Sequence, residues 1–456
     1  MKLVPTTSTL IAALLLLTGA PAQAAPAGAA EDPILQAISL SATGRSAATQ
    51  RDTQPFGLVG ATWADPRAVL GGTVEVRTRA IGAGRWTGWQ TLDSDEPSPA
   101  DAGGRGRTDP LWVGMSDAVE VRVSAGGPLP RGLRLDLINP DAAVPEQQPR
   151  ARVDVPGRPM PKLVTRSGWR ANERIVKDPP EYTTDVQVMF VHHTAGTNGY
   201  RCADSARIVR AIEGYHVTSN HWNDIGYNFL VDKCGSLFEG RKGGVGRAVL
   251  GAHTLGFNAH SAAIAVIGDY RGLTVPPVVR NVIAQVAAYK LGTYGNLATG
   301  RTMLESGGTD RFPKGRLVSL NRVSGHRDAG STTCPGNALY GQLGSIRAIA
   351  GAGPAGLRLL SMIGATGSGS TYRTRGLVSP LWTTSTPSAL INRFDVYVDG
   401  ELAASARNMH RRAALRLSPG QHTVTVRAIH LSGRSASFTV RVVAGAQAQN
   451  YSGGRG

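Results

Sequence analysis

Hydrophobic and polar positions follow three different rhythms along this chain. From 53 to 140, short runs of period two, such as Thr73-Val74-Glu75-Val76-Arg77-Thr78 and Val119-Glu120-Val121-Arg122-Val123, are separated by Gly, Asp and Pro turns. That alternation predicts an antiparallel β domain. From 163 to 350 the pattern changes to apolar runs alternating with helical stripes. Val186 to Val191 reads as a buried strand, and Ser205 to Tyr215 as a helix with Ile208, Ile212 and Tyr215 on one face. Strands over Tyr227–Val231 and Ala262–Ile267 follow, and Pro276-Pro277 opens a helix with the stripe Val279, Val282, Ile283 and Val286. These are the marks of an α/β domain, a mixed sheet flanked by helices. From 380 to 444 the period of two returns through Phe394, Val396, Val398, Leu415, Leu417, Val424, Val426, Phe438, Val440 and Val442, with a Pro419-Gly420 turn. A small β-sandwich-like domain is expected there. The fold class is therefore multidomain, a central α/β domain between N-terminal and C-terminal all-β domains. At about 150 residues per domain, a chain of 456 residues agrees with roughly three.

The intervening stretches lack such patterns. Residues 25–52 are rich in Ala, Ser, Thr and Gly and read as a flexible leader. Residues 141–162 follow Pro140 and carry prolines at 145, 149, 156, 159 and 161, which predicts a semi-extended linker. Residues 351–379 read as a Gly-rich linker, with one short helix over Leu357–Ile363, and residues 445–456 as a disordered tail. At the other end, Lys2, the apolar run Leu10–Leu17 and Ala22-Gln23-Ala24 form the charged start, short core and small-x-small site of a signal peptide over 1–24. That run is too short to span a bilayer, and no later stretch of about 20 apolar residues occurs, so no membrane span is expected. A secreted, extracellular protein is the expectation.

Charge changes the picture modestly. The net charge is +17, and lysine stands only at 2, 162, 177, 233, 242, 290 and 314, so the excess is carried by arginine. Two readings stand side by side: a generally soluble basic surface, or attraction to an anionic partner. No nucleic-acid-binding motif is present. The tryptophans at 63, 86, 89 and 112 read as packing groups or as a sugar-stacking platform.

The chemistry-bearing residues are few. His192 ends a hydrophobic strand, His326 lies far downstream, and Cys334 follows it at eight residues across Gly330-Ser331-Thr332-Thr333. Two imidazoles and a thiolate form a three-ligand set for zinc that leaves a fourth position open for water. Adjacent strand residues point to opposite faces, so only one of His192 and His193 belongs to the set. No His-Glu-x-x-His helix is present, which removes the commonest metalloprotease reading. If Cys334 serves a metal, Cys202 and Cys234 remain as a disulfide pair or as two free thiols.

Six motifs occur in order: Ser167-Gly168-Trp169, Val191-His192-His193-Thr194, Asp224-Ile225-Gly226-Tyr227-Asn228-Phe229, Glu239-Gly240-Arg241, Gly251-Ala252-His253-Thr254, and Gly325-His326-Arg327-Asp328 through Cys334-Pro335-Gly336. Over 163–350 the chain thus resembles the peptidoglycan recognition proteins and phage-lysozyme-type amidases (amidase type 2). The flanks are similar to those of exported actinobacterial amidases. The resemblance implies a zinc-dependent N-acetylmuramoyl-L-alanine amidase, with Zn2+ held by His192, His326 and Cys334. It also implies Tyr227 and Thr332 as catalytic groups, and His253 and Asn258 as residues contacting the stem peptide. The implied substrate is peptidoglycan, with a cell-wall-associated location, and for an exported protein of net charge +17 the anionic partner would be cell-wall polymer. Asp328 reads as a partner of the metal ligands or as a turn residue. Two rival readings are a non-catalytic peptidoglycan-binding protein and a zinc peptidase acting within the stem; the first usually lacks the zinc cysteine that this chain keeps. Lys242 to Leu250 departs from the Gly-Trp pair that many eukaryotic members carry there, so no stem-peptide preference carries over.

Overall fold

A computed structural model of the chain describes residues 34–41, 49–94, 104–142 and 159–445. The expected signal peptide, most of the Pro-rich linker and the tail beyond Gly445 lie outside the described residues. Among the described residues, no helix is long and apolar enough to cross a membrane.

The N-terminal region is a seven-stranded antiparallel sheet. Its two long strands, Thr49–Trp63 and Leu111–Ala125, pair with each other and carry the neighbouring strands Arg134–Ile138 and Gly72–Ala80 on either side. Alternation sorts their side chains. Phe56, Val59, Ala61, Val74, Val76, Val119 and Leu135 fill the domain's own core, while Leu58, Trp112 and Ile138 pack into the core of the central domain. The first strand, Leu35–Ser39, lies within the segment expected to be a flexible leader and pairs with Arg134–Ile138. That expectation is corrected. A five-residue strand of mild hydrophobicity is held by a partner about a hundred residues away, which no local pattern reveals.

The central domain is built on a five-stranded mixed sheet. Four strands, Phe229–Val231, Ser261–Val266, Val188–His193 and Val323–Gly325, run parallel in that order, and Leu237–Glu239 pairs antiparallel with Phe229–Val231 at the opposite edge from Val323–Gly325. Both faces are covered, as a parallel sheet requires. Helices Pro277–Thr293 and Asn337–Ala350 pack on one face through Val279, Ile283, Val286, Leu339 and Ile346. Helix Ser205–Gly214 packs on the other through Ile208, Val209 and Ile212. It runs on into a π-helical turn, Tyr215–Ser219.

The C-terminal region is also all β, with seven strands hydrogen-bonded into one sheet around a core of Trp382, Phe394, Val396, Val424, Val426 and Val442. Leu390 and Leu431 join it to the central domain's core. The segment expected to be a Gly-rich linker is instead a hairpin, Arg358–Ser368 with Thr371–Thr383, and the short helix expected over Leu357–Ile363 is part of its first strand. The glycines account for the difference. Gly364 (φ 81°) and Gly369 (φ 63°) take left-handed backbone at an irregularity and at the turn, so they shape strands rather than interrupt them.

Candidate metal centre

The parallel strands Val188–His193 and Val323–Gly325 both end at the same edge of the sheet, the carboxyl edge where open α/β sheets present their functional groups. The pleat selects between the two adjacent histidines. Val188 and Phe190 face the Ser205–Gly214 helix, whereas Met189 and Val191 face the opposite core; His192 continues the first set and His193 the second. His193 is occupied elsewhere. Its Nδ1 accepts the Tyr270 N–H at 3.1 Å and lies 3.7 Å from Asp269.

His326 begins a single 3-10 turn, His326–Asp328, directly after its strand. Asp328 fixes that turn, accepting the Gly325 N–H at 3.0 Å and the Tyr340 hydroxyl at 2.6 Å, so of its two readings the turn role is the one visible. The chain then bends back to Cys334. Its N–H donates to Thr332 Oγ1 at 3.1 Å, its carbonyl accepts from Arg327 N at 3.0 Å, and its bond to Pro335 is cis. Gly336 follows with φ 86°, and a Cβ there would lie 2.3 Å from the Tyr270 carbonyl carbon, so only glycine lets the loop close against the backbone at Tyr270 and Arg271.

The ligand atoms of His192, His326 and Cys334 lie within 4.8 Å of one another, with the side chains 0%, 4% and 2% exposed. Cys334 Sγ stands 3.6 Å from His192 Nδ1. Two imidazole nitrogens and one sulfur gathered this closely fit the donor set of a four-coordinate metal with one open position.

The supporting residues include one that the sequence did not mark. The Thr254 hydroxyl lies 3.3 Å from His192 Nε2 and 3.0 Å from His253 Nδ1. The His192 nitrogen that faces away from Cys334 thus has a fixed partner, which is how outer contacts orient a metal ligand. The only available clue was that Thr254 closes the Gly-Ala-His-Thr motif. Tyr227 is buried with its ring 5.3 Å from that of His192, and the His253 ring lies 5.6 Å from it. Thr332 is half-buried beside Cys334. Asn258 braces this loop, its Oδ1 accepting the N–H groups of both His253 and Thr254 at 2.9 Å.

A buried ion cluster braces the approach to Tyr227. Arg166 reaches Glu173 at 2.8 Å, Glu213 at 2.9 Å and Asp224 at 3.3 Å. Burial works against the Arg166 charge, but the three carboxylates outweigh it and hold the guanidinium protonated. Asp224 in turn accepts the N–H groups of Ile225 and Lys242, each at 2.7 Å, fixing the turn that leads to Tyr227. Cys202 and Cys234 form a disulfide.

The sheet, its covering helices and the buried His, His, Cys set define the class: an α/β domain with a metal-capable centre at the carboxyl ends of its parallel strands. Residues 182–337 match the family described as N-acetylmuramoyl-L-alanine amidase, and residues 19–153 match a family of N-terminal galactose-binding-like domains. Peptidoglycan-recognition protein SC2 of Drosophila melanogaster is 34% identical over 181 residues, covering 40% of this chain and 84% of the relative. Peptidoglycan recognition protein 3 of Homo sapiens is 28% identical over 222 residues, covering 49% of this chain and 56% of the relative. Among solved structures, Drosophila PGRP-LB aligns at 24% identity over 40% of this chain and 93% of its own, with a TM-score of 0.32. The chain belongs to the peptidoglycan recognition protein and N-acetylmuramoyl-L-alanine amidase family. Its central domain is directed at peptidoglycan, by binding or by amide hydrolysis.

Proposed function

We propose that this protein is an exported, zinc-dependent N-acetylmuramoyl-L-alanine amidase that cleaves the amide between N-acetylmuramic acid and L-alanine. The observation that carries the reading is the buried Cys334 thiol beside His192 and His326, because a domain that only binds has no need of a thiolate ligand there. Zn2+ in this set supplies Lewis acidity, lowering the pKa of water toward neutrality and polarising a carbonyl. The remaining work falls to the chain. Thr254 holds the His192 ring in one orientation, and Thr332 and Arg327 hold the backbone of Cys334 in place. Tyr227 and Thr332 bring hydroxyl donors for the negative charge that develops on the lactyl carbonyl oxygen. His253 forms part of the wall that receives the stem peptide, and Asn258 shapes the loop that presents it. The disulfide and the signal-peptide pattern support export to the cell wall, where anionic polymers would meet a chain of net charge +17.

The test is mass spectrometry of peptidoglycan digested by the chelated protein with and without added zinc. Zinc-dependent release of intact stem peptide from muramic acid is the expected result. A shortened stem would point to a peptidase, and wall binding with no product would leave a recognition protein. Cys334→Ala should abolish release while retaining wall binding.

A further inference from the structure

A cleft of about 590 Å³ lies between the N-terminal sheet and the loop that follows the His192 strand. One wall carries Trp89, Gln90 and Trp112, and the other carries Thr197, Arg201 and Asp204. Thr197 is five residues beyond His192, so the cleft opens on the same loop that leaves the candidate metal centre.

Each wall is fixed. Trp89 has the guanidinium groups of Arg122 and Arg77 against its ring at 4.2 and 5.1 Å, and these are tied to Glu75 and Glu120 at 2.6 and 2.7 Å. Trp112 packs so closely over Gly57 that a Cβ there would lie 2.6 Å from its ring. In the facing loop, the Asn198 amide donates to the Asp269 carbonyl at 2.6 Å, and the Tyr200 hydroxyl donates to the Ile267 carbonyl at 3.2 Å. The disulfide anchors Cys202, directly after Arg201. The two walls are also joined. Asp93, three residues after Gln90, forms a 2.7 Å ion pair with Arg271, which pairs with Asp269 at 2.6 Å. The same short loop, 269–271, supplies the Tyr270 N–H that holds His193. A pocket whose walls are locked before binding loses little entropy when it is filled.

The chemistry of the lining selects the ligand. Arg201 and Asp204 neutralise each other at 3.1 Å, and Arg77 and Arg122 are matched by carboxylates, so among the described residues the cleft lacks the surplus cations an anionic polymer would require. With Trp112 packed into the core behind it, the half-buried Trp89 ring beside Thr, Gln and Asp groups matches a ligand with an apolar C–H face and a rim of hydroxyls and amides. We propose that this cleft is a saccharide subsite, holding amino-sugar units of the glycan strand that adjoin the muramic acid whose amide lies at the metal centre. This assignment rests on the amidase reading for the identity of the strand. It makes the N-terminal domain part of the substrate site rather than a tethered anchor.

The experiment compares the full-length protein with its Trp89→Ala and Gln90→Ala variants in two measurements. The first is kcat/KM for stem peptides carried on a tetrasaccharide relative to those carried on a single N-acetylmuramic acid. The second is direct calorimetric binding of the peptide-free tetrasaccharide. The tetrasaccharide substrate is expected to be favoured about tenfold, as one aromatic contact supplies, with the preference and the peptide-free binding both lost in the variants. Equal kcat/KM for both substrates with no binding of the free tetrasaccharide would overturn the subsite and leave the amidase reading standing. Trp89-dependent and Gln90-dependent binding without hydrolysis of either substrate would overturn the amidase reading and leave the subsite standing. Binding that neither substitution affects, in variants whose circular dichroism matches the parent, would place the saccharide elsewhere and overturn the proposal.

Discussion

The Cys202–Cys234 bridge closes a loop with a sequence separation of 32 residues, containing the helix Ser205–Gly214 and the strand Phe229–Val231. Replacing both cysteines by serine frees that loop in the unfolded chain. In the chain-entropy model a loop of this length corresponds to about 12 cal/mol/K, or about 3.7 kcal/mol at 25 °C. The native state should contribute little to the change, because Cys234 is exposed and Cys202 only half-buried. The backbone N–H of Cys234 also keeps its 2.9 Å bond to Asp232 whatever the side chain. Because a multidomain chain does not unfold in one step, the suitable assay is native-state hydrogen exchange of the slowest amides in the strands Val188–His193 and Ser261–Val266. Their protection should fall roughly 500-fold, the equivalent of 3.7 kcal/mol. Cys202→Ser alone and the reduced parent protein should fall by the same amount, since each opens the same loop. A loss below about 1 kcal/mol in all three would refute the reasoning, showing that the bridge does not act through the entropy of the unfolded loop.

Three further outcomes are expected. Tyr227→Phe should lower turnover by about 10² if its hydroxyl stabilises the transition state, and an unchanged kcat would return Tyr227 to packing. Thr254→Val should weaken zinc binding by about 10- to 100-fold in competition titrations, because His192 Nε2 would lose its hydroxyl partner, and equal affinity would exclude an orienting role. Lys290 is buried in the central core, where it donates to the carbonyls of Val245 and Arg247 at 3.0 and 2.6 Å, and burial pushes its pKa down from 10.5 to about 7. The unfolded chain therefore binds the extra proton between these values. The resulting destabilisation is full below about pH 7 and is lost as pH rises through 10.5. Lys290→Met removes it, so the stability of the variant minus that of the parent should shrink by about 1.4 kcal/mol per pH unit across that window. A difference independent of pH would show that Lys290 keeps its ordinary affinity for protons.

Regular periodicity made the central elements legible. The helix expected over Ser205–Tyr215 is found at Ser205–Gly214, and the helix expected to open at Pro276-Pro277 is found at Pro277–Thr293. Elements stabilised by distant partners were not legible. Leu35–Ser39 reads as leader and Arg358–Ser368 as linker, because a strand with few buried positions owes its existence to its neighbours' hydrogen bonds. The tryptophans show the same limit. Trp63 fills the N-terminal core and Trp112 the core shared with the central domain, while Trp86 and Trp89 lie against the Arg77 guanidinium, and nothing in their spacing distinguishes these fates.

By itself the sequence determined the residue types of the centre, two histidines and a cysteine in family order, and the strand rhythm that sends His192 and His193 to opposite faces. Only tertiary structure decided what completes that centre. Thr254 reaches His192 from 62 residues away, and Asp93 reaches Arg271 from another domain. A short-range rhythm reports which face a side chain takes, because the backbone repeat fixes it locally. Which group meets it across that face depends on the packing of whole elements, and no local pattern encodes that.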